Sequence, residues 1–145
     1  NHRHLCDRRE AVLKATVIKQ AWNTLKNAYA PYSNFRVGAC VICHDQTYYC
    51  GANVENASYG LTCCAERNAL FAAYSDGKRA EDIAAIAIVS EAKQLSFPCG
   101  ACRQVMIELL RGDTPVYLSN HDQEAVYTVK ELLPAAFGRE DLSNV

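Results

Sequence analysis

Only one methionine, one tryptophan and four prolines occur in these 145 residues, and no apolar run approaches the ~20 residues of a membrane-spanning helix. Charge of one sign is missing too. Fifteen Lys and Arg stand against sixteen Asp and Glu, for a net charge near −1. Nucleic-acid binders usually carry a basic face; here the basic residues are scattered among acidic ones, so no nucleic-acid partner and no membrane partner is expected. The first ten residues, NHRHLCDRRE, lack the apolar stretch of a signal peptide. A cytoplasmic protein is the expectation, with its initiator methionine missing or processed away, since the only methionine is Met106. Repeats, low-complexity tracts and linkers are also lacking, and the length suits a single domain spanning 1–145, able to bury roughly two-thirds of its unfolded surface.

What the chain has in abundance is cysteine, eight in all. An even count can encode disulfides in a secreted domain, but a reducing compartment opposes them. Some thiols are therefore expected to bind metal and the others to pack as small apolar residues.

Apolar residues at Leu13, Val17, Ala21, Leu25 and Ala28 have helical spacing, and Asp7 with Glu10 resembles a capping box, predicting a helix from Asp7 to Ala30. After the breaker APYSN, Phe35, Val37, Ala39 and Val41 alternate, then HDQT turns the chain into a second run from Tyr48 to Val54; this predicts a β-hairpin. CCAERNALFAAYSDGK reads as a helix stopping at Gly77, and the apolar run at 83–89 as a strand buried on both faces. A third helix is expected from Pro98 to Gly112. Two short strands, PVYLS and AVYTV, a short helix near VKELL and an irregular tail complete the order. The fold class is thus α/β, a mixed sheet flanked by helices. Only NHDQEA joins the last two strands, too short for a parallel crossover, so that pair should be antiparallel.

Cys99 and Cys102, in PCGAC, lie three apart at a helix start, where unpaired N–H groups and the positive end of the helix dipole favour thiolates. A C-x-x-C pair alone fits a metal site, a redox pair or core packing. TCCAERNAL adds Cys64, Glu66 and Arg67 at a second helix start. Three thiolates suit zinc; a structural site would need a fourth protein ligand, whereas a catalytic one reserves that place for water. His2, His4, His44 and His121 stand outside both motifs and read as exposed or turn residues, and Cys63 reads as facing away from the ligand set.

C-A-E followed by P-C-x-x-C is the three-cysteine form of the zinc nucleobase deaminase signature. Together with NVEN at 53–56, PCGACRQV and ELLPAAFG, it resembles the small, homotetrameric cytidine deaminase family over about residues 29–142. The resemblance implies a three-layer α/β/α fold around a five-stranded mixed sheet, one zinc per chain on Cys64, Cys99 and Cys102, and Glu66 as the proton carrier in deamination of cytidine and deoxycytidine for pyrimidine salvage. It implies substrate binding by Phe35, Asn53, Glu55, Ala65 and, from a neighbouring subunit, Phe137, with Tyr59 entering another subunit's site. Arg67 is expected to offset the thiolate charge. Asn53 and Glu55, two apart on an extended segment, share one face, and an amide beside a carboxylate suits ribose hydroxyls and repels phosphate. SYGLTC departs from the family pattern, which bears on the loop contacts. A deaminase of aminoacyl-nucleosides such as blasticidin S shares the zinc motif and is the alternative within the superfamily. Outside it stand a structural zinc module and a thioredoxin-like dithiol, neither of which has a use for Glu66.

Overall fold

The computed structural model describes residues 2–143. Helix α1 (His2–Leu25) is followed by strands β1 (Val37–Cys43) and β2 (Tyr48–Ala52), helix α2 (Ala65–Ser75), strand β3 (Ile83–Ser90), helix α3 (Gly100–Leu109), strands β4 (Pro115–Ser119) and β5 (Glu124–Thr128), and short helices α4 (Val129–Leu132) and α5 (Arg139–Ser143). The sheet order is β2-β1-β3-β4-β5. Only β3 and β4 pair in parallel, joined by the α3 crossover, while β4 and β5 are antiparallel as the short connection requires.

Strand alternation sends Cys40, Ile42, Ala85, Ala87 and Val89 to one face, where Leu13, Val17, Ala21 and Leu25 of α1 cover them. Ala39, Val41, Ile86, Ile88, Val116 and Leu118 meet α2 and α3 on the other, with Leu70 and Met106 fully buried there. The layers are α/β/α. Two glycines set how closely the helices approach. A Cβ on Gly38 would lie 2.1 Å from the Ala21 carbonyl oxygen of α1, and one on Gly51 would lie 2.5 Å from Ala69 N and 2.6 Å from Ala65 O of α2.

Several boundaries differ from the sequence expectation, each for a local reason. α1 begins at His2 and not Asp7, so the supposed capping box lies inside the helix; no glycine or proline precedes Asp7 to stop it. The side-chain surroundings of His2 and His4 lie outside the described residues. α1 ends at Leu25, after which Tyr29 N leaves to donate to Asn53 O at 2.9 Å. β1 starts at Val37 and not at Phe35 because the Asn53 side chain takes the place of ladder partners, donating to Phe35 O at 2.8 Å and accepting from Val37 N at 3.0 Å. β2 stops at Ala52, whose carbonyl accepts from Asn68 Nδ2 of α2 at 2.8 Å. Pro98 falls before α3, since Cys99 itself is the N-cap and its sulfur accepts from Cys102 N at 3.5 Å. α3 also ends at Leu109, short of Gly112, where Leu110 turns extended and buries its side chain. In place of an irregular tail, α5 forms with Asp141 accepting from Gly138 N at 2.7 Å.

Candidate metal centre

α2 and α3 both start beside the C-terminal end of β3, and each has a cysteine at its N-cap, Cys64 and Cys99. Cys102 follows on the first turn of α3 and is fully buried. The sulfurs of Cys64, Cys99 and Cys102 all lie within 4.8 Å of one another, the one such group of three potential ligands among the described residues. Cys99 and Cys102 sulfurs are 3.4 Å apart. Tetrahedral zinc with Zn–S near 2.3 Å requires sulfurs about 3.8 Å apart, so the donor set and its spacing fit zinc held by three thiolates with a fourth position left over. Cys63, next in sequence to Cys64, lies outside the group, and burial pushes its thiol up. The seven cysteines described, from Cys40 onward, are free.

The surroundings favour negative sulfur. Two helix starts direct unpaired N–H groups and partial positive charge at the cluster. Arg67 Nη2 donates to Cys64 Sγ at 3.4 Å and to Thr62 O at 3.5 Å, while its Nε is buried without a protein acceptor. Hydrogen bonding from the Cys102 thiol, assisted by Arg67 and opposed by burial, holds Cys64 down at about 5; the same shared proton pushes Cys102 up.

Glu66 is 5% exposed on the first turn of α2. Burial, reinforced by the nearby Cys64 charge, raises its carboxyl to about 7. A carboxyl poised there exchanges a proton readily near neutral pH.

Cys64, Cys99 and Glu66 open on a cavity of about 240 Å³, with Phe35, Asn53, Glu55 and Ala65 also in its wall. Asn53 and Glu55 share this face, as the spacing predicts. Asn53 is the more buried, and its amide spans the backbone at Phe35 and Val37. Glu55 Oε1 accepts from Tyr32 N at 3.0 Å and Ser33 N at 3.1 Å, and Oε2 from the Ser33 hydroxyl. The Ser33 hydroxyl contributes most to holding this carboxyl below its ordinary range. Tyr59 and Phe137 lie outside the cavity wall, 83% and 61% exposed. His44 and His121 are exposed, and His121 stacks on Trp22 at 4.6 Å.

Sequence reasoning did not single out Ser33, Thr62, Ser96 and Phe97. Phe97 and Ser96 precede the PCGAC motif directly and line the same wall, a proximity that was the available signal. Ser33 reaches Glu55 through its hydroxyl and Thr62 accepts from Asn56 N at 3.1 Å, and neither carries a motif. Arg103, within PCGACRQV, donates to Pro98 O at 2.7 Å and to Leu132 O at 2.8 Å, tying the α3 start to α4.

A mixed sheet with three clustered thiols and a buried carboxyl at two adjoining helix starts defines a zinc-binding α/β protein built for hydrolytic chemistry. Residues 13–118 match the cytidine and deoxycytidylate deaminase zinc-binding region. The cytidine deaminase of Halalkalibacterium halodurans is 54% identical over 88% of this chain and 96% of its own length. The crystal structure of cytidine deaminase from Burkholderia pseudomallei, 49% identical, superposes with a TM-score of 0.82 over 85% of this chain and 98% of that one. That from Mycobacterium tuberculosis, 36% identical, gives 0.72 over 86% and 96%. The chain belongs to the cytidine deaminase family.

Proposed function

We propose that this protein is a cytidine deaminase, hydrolysing cytidine and deoxycytidine to uridine and deoxyuridine with release of ammonia. The observation that carries the proposal is the cluster of Cys64, Cys99 and Cys102 beside a nucleoside-sized cavity that Cys64, Cys99 and the buried Glu66 line. Cys64, Cys99 and Cys102 would hold zinc, which when bound would supply the Lewis acidity that makes a water acidic near pH 7. Glu66 does the proton work: as carboxylate it takes a proton from the attacking water and gives it to ring N3, then takes the second proton from the hydroxyl now on C4 and passes it to the amino group, which leaves as ammonia while the C4 carbonyl forms. Its raised affinity for protons supports both directions of transfer. Arg67 offsets thiolate charge and orients Cys64.

Glu55 and Asn53 take the ribose hydroxyls, Phe35 faces the base, and the backbone of Ala65 at the α2 start meets its polar edge. The carboxylate of Glu55 disfavours a phosphate, hence nucleosides over nucleotides. The exposure of Tyr59 and Phe137 supports their use between subunits of a homotetramer, with Phe137 closing a neighbour's cavity. The chain acts as a single domain over 1–145, in the cytoplasm, in pyrimidine salvage; no helix among the described residues is long and apolar enough to cross a membrane.

Loss of cytosine absorbance on mixing with cytidine, with zinc counted per chain, tests the activity. Cytidine turnover with about one zinc per chain is expected. Turnover of blasticidin S but not cytidine would overturn the substrate. For the shared site, inactive Glu66→Gln chains mixed with inactive Phe137→Ala chains should regain activity. An active monomer on sizing would refute it.

A further inference from the structure

Two further cysteines face one another away from the metal centre. Cys40 of β1 and Cys50 of β2 are direct cross-strand partners in the antiparallel hairpin. Their pairing type follows from the ladder. Cys43 N donates to Thr47 O at 2.8 Å at the turn, and Asn53 N to Val37 O at 3.3 Å at the open end. Counting inward from either end in steps of two, the hydrogen-bonded pairs are Val41 with Tyr49 and Ala39 with Gly51. Cys40 and Cys50 therefore occupy a non-hydrogen-bonded position, where Cα atoms approach to about 4.5 Å and side chains are closest. A disulfide spans Cα separations of about 4.4–6.8 Å, so the backbone needs little movement to accept one.

Both side chains project to the α1 side of the sheet, Cys40 fully buried and Cys50 half-buried against it. Cys43, on the opposite face, belongs to the other core and has no part in the pair. The two thiols differ in character. Cys40 Sγ donates to Val41 O at 3.7 Å and Cys50 Sγ to Gln20 O of α1 at 3.8 Å; the proximity of the two thiols draws Cys50 down, while that proximity and burial push Cys40 up. Cys50 is the less buried of the two and so the one a small oxidant reaches first.

We propose that Cys40 and Cys50 form a redox site, in which a hydroperoxide converts the facing thiols into a cross-strand disulfide. In the first step the Cys50 thiolate attacks one peroxide oxygen; the O–O bond breaks, Cys50 becomes a sulfenic acid, and hydroxide (or alkoxide) leaves. In the second the Cys40 sulfur attacks the Cys50 sulfur, the S–O bond breaks, and hydroxide leaves and takes up the Cys40 proton as water. Two thiols are oxidised and one peroxide is reduced. The site is independent of the deaminase chemistry.

The test exposes zinc-loaded protein to hydrogen peroxide at a level that leaves zinc bound, blocks free thiols, and digests it unreduced with trypsin and an endoproteinase cutting before aspartate. Cleavage after Arg36, before Asp45 and after Arg67 yields fragments 37–44 and 45–67. The expected product is these two joined, lighter by two hydrogen atoms than the separate pair, and separated again by dithiothreitol. The link should form equally in the Cys43→Ala, Cys63→Ala double variant and be lost in Cys40→Ala. In Cys40→Ala, Cys50 should instead stop at the sulfenic acid, trapped by dimedone. A link that disappears with Cys43→Ala, Cys63→Ala, or wild-type Cys50 that stays reduced or stops at the dimedone-reactive stage, would overturn the proposal.

Discussion

Arg67 Nη2 lies 3.4 Å from Cys64 Sγ, one turn along the same helix. Replacing it with Ala should lower zinc affinity or kcat by ~10–100-fold, the usual cost of losing a partner to a metal ligand. Arg67→Lys should fall between, keeping charge without the planar Nη2 group that reaches both Cys64 Sγ and Thr62 O. Zinc retention against a competing chelator and steady-state kinetics measure both.

Glu66→Gln should retain zinc and lose kcat by ~10²–10⁴-fold. The thermal midpoint should hold or rise, because a buried amide of the same shape avoids the cost of ionising a carboxyl that burial opposes. Near-normal turnover would remove Glu66 from the proton path.

Each of Cys64→Ala, Cys99→Ala and Cys102→Ala should lose zinc and activity together, while Cys63→Ala keeps both. Zinc content per chain decides. Retention by Cys64→Ala with loss in Cys63→Ala would reverse the ligand assignment.

Gly51→Ala should destabilise the protein by ~1–3 kcal/mol through overpacking. The new methyl would meet backbone atoms of Ala65 and Ala69, which cannot swing aside as a side chain can. Since Ala65 follows Cys64, zinc binding should weaken with the thermal midpoint. Gly60→Ala, where nothing lies within 4 Å, is the control and should change neither.

Glu55 is held below the ordinary carboxylate range chiefly by the Ser33 hydroxyl. A depressed group keeps its charge until pH falls through the lowered value, so the carboxyl of Glu55 should titrate later on acidification than a free glutamate. Ser33→Ala should bring its midpoint back up and raise the KM for cytidine more than it lowers kcat. Carbon-13 shifts of the side-chain carboxyl follow the titration directly.

Strand and helix identities were legible because their periods were unbroken: the apolar run of β3 is buried on both faces, and Leu13, Val17, Ala21 and Leu25 form one stripe. The three thiols were legible from two local spacings, each at a helix start. Boundaries were lost wherever a side chain substituted for backbone. Asn53 ends the ladder before Phe35, and the Cys99 sulfur caps α3 one residue past Pro98, whose ring alone suits a first helical turn. The bonding of Glu55 was invisible for a related reason, since Tyr32 and Ser33 reach it from a loop more than twenty residues upstream with no periodicity to announce them.

The Asn53 amide grips Phe35 and Val37 only by their main-chain atoms. Such a grip is blind to what those residues carry. The frame of the cavity and its lining are therefore separable: residue 35 can be exchanged for a broader or narrower side chain while the mount that holds it stays in place. The shape of the cavity at this point becomes a matter of interchangeable inserts, open to gradual redesign without first rebuilding the support.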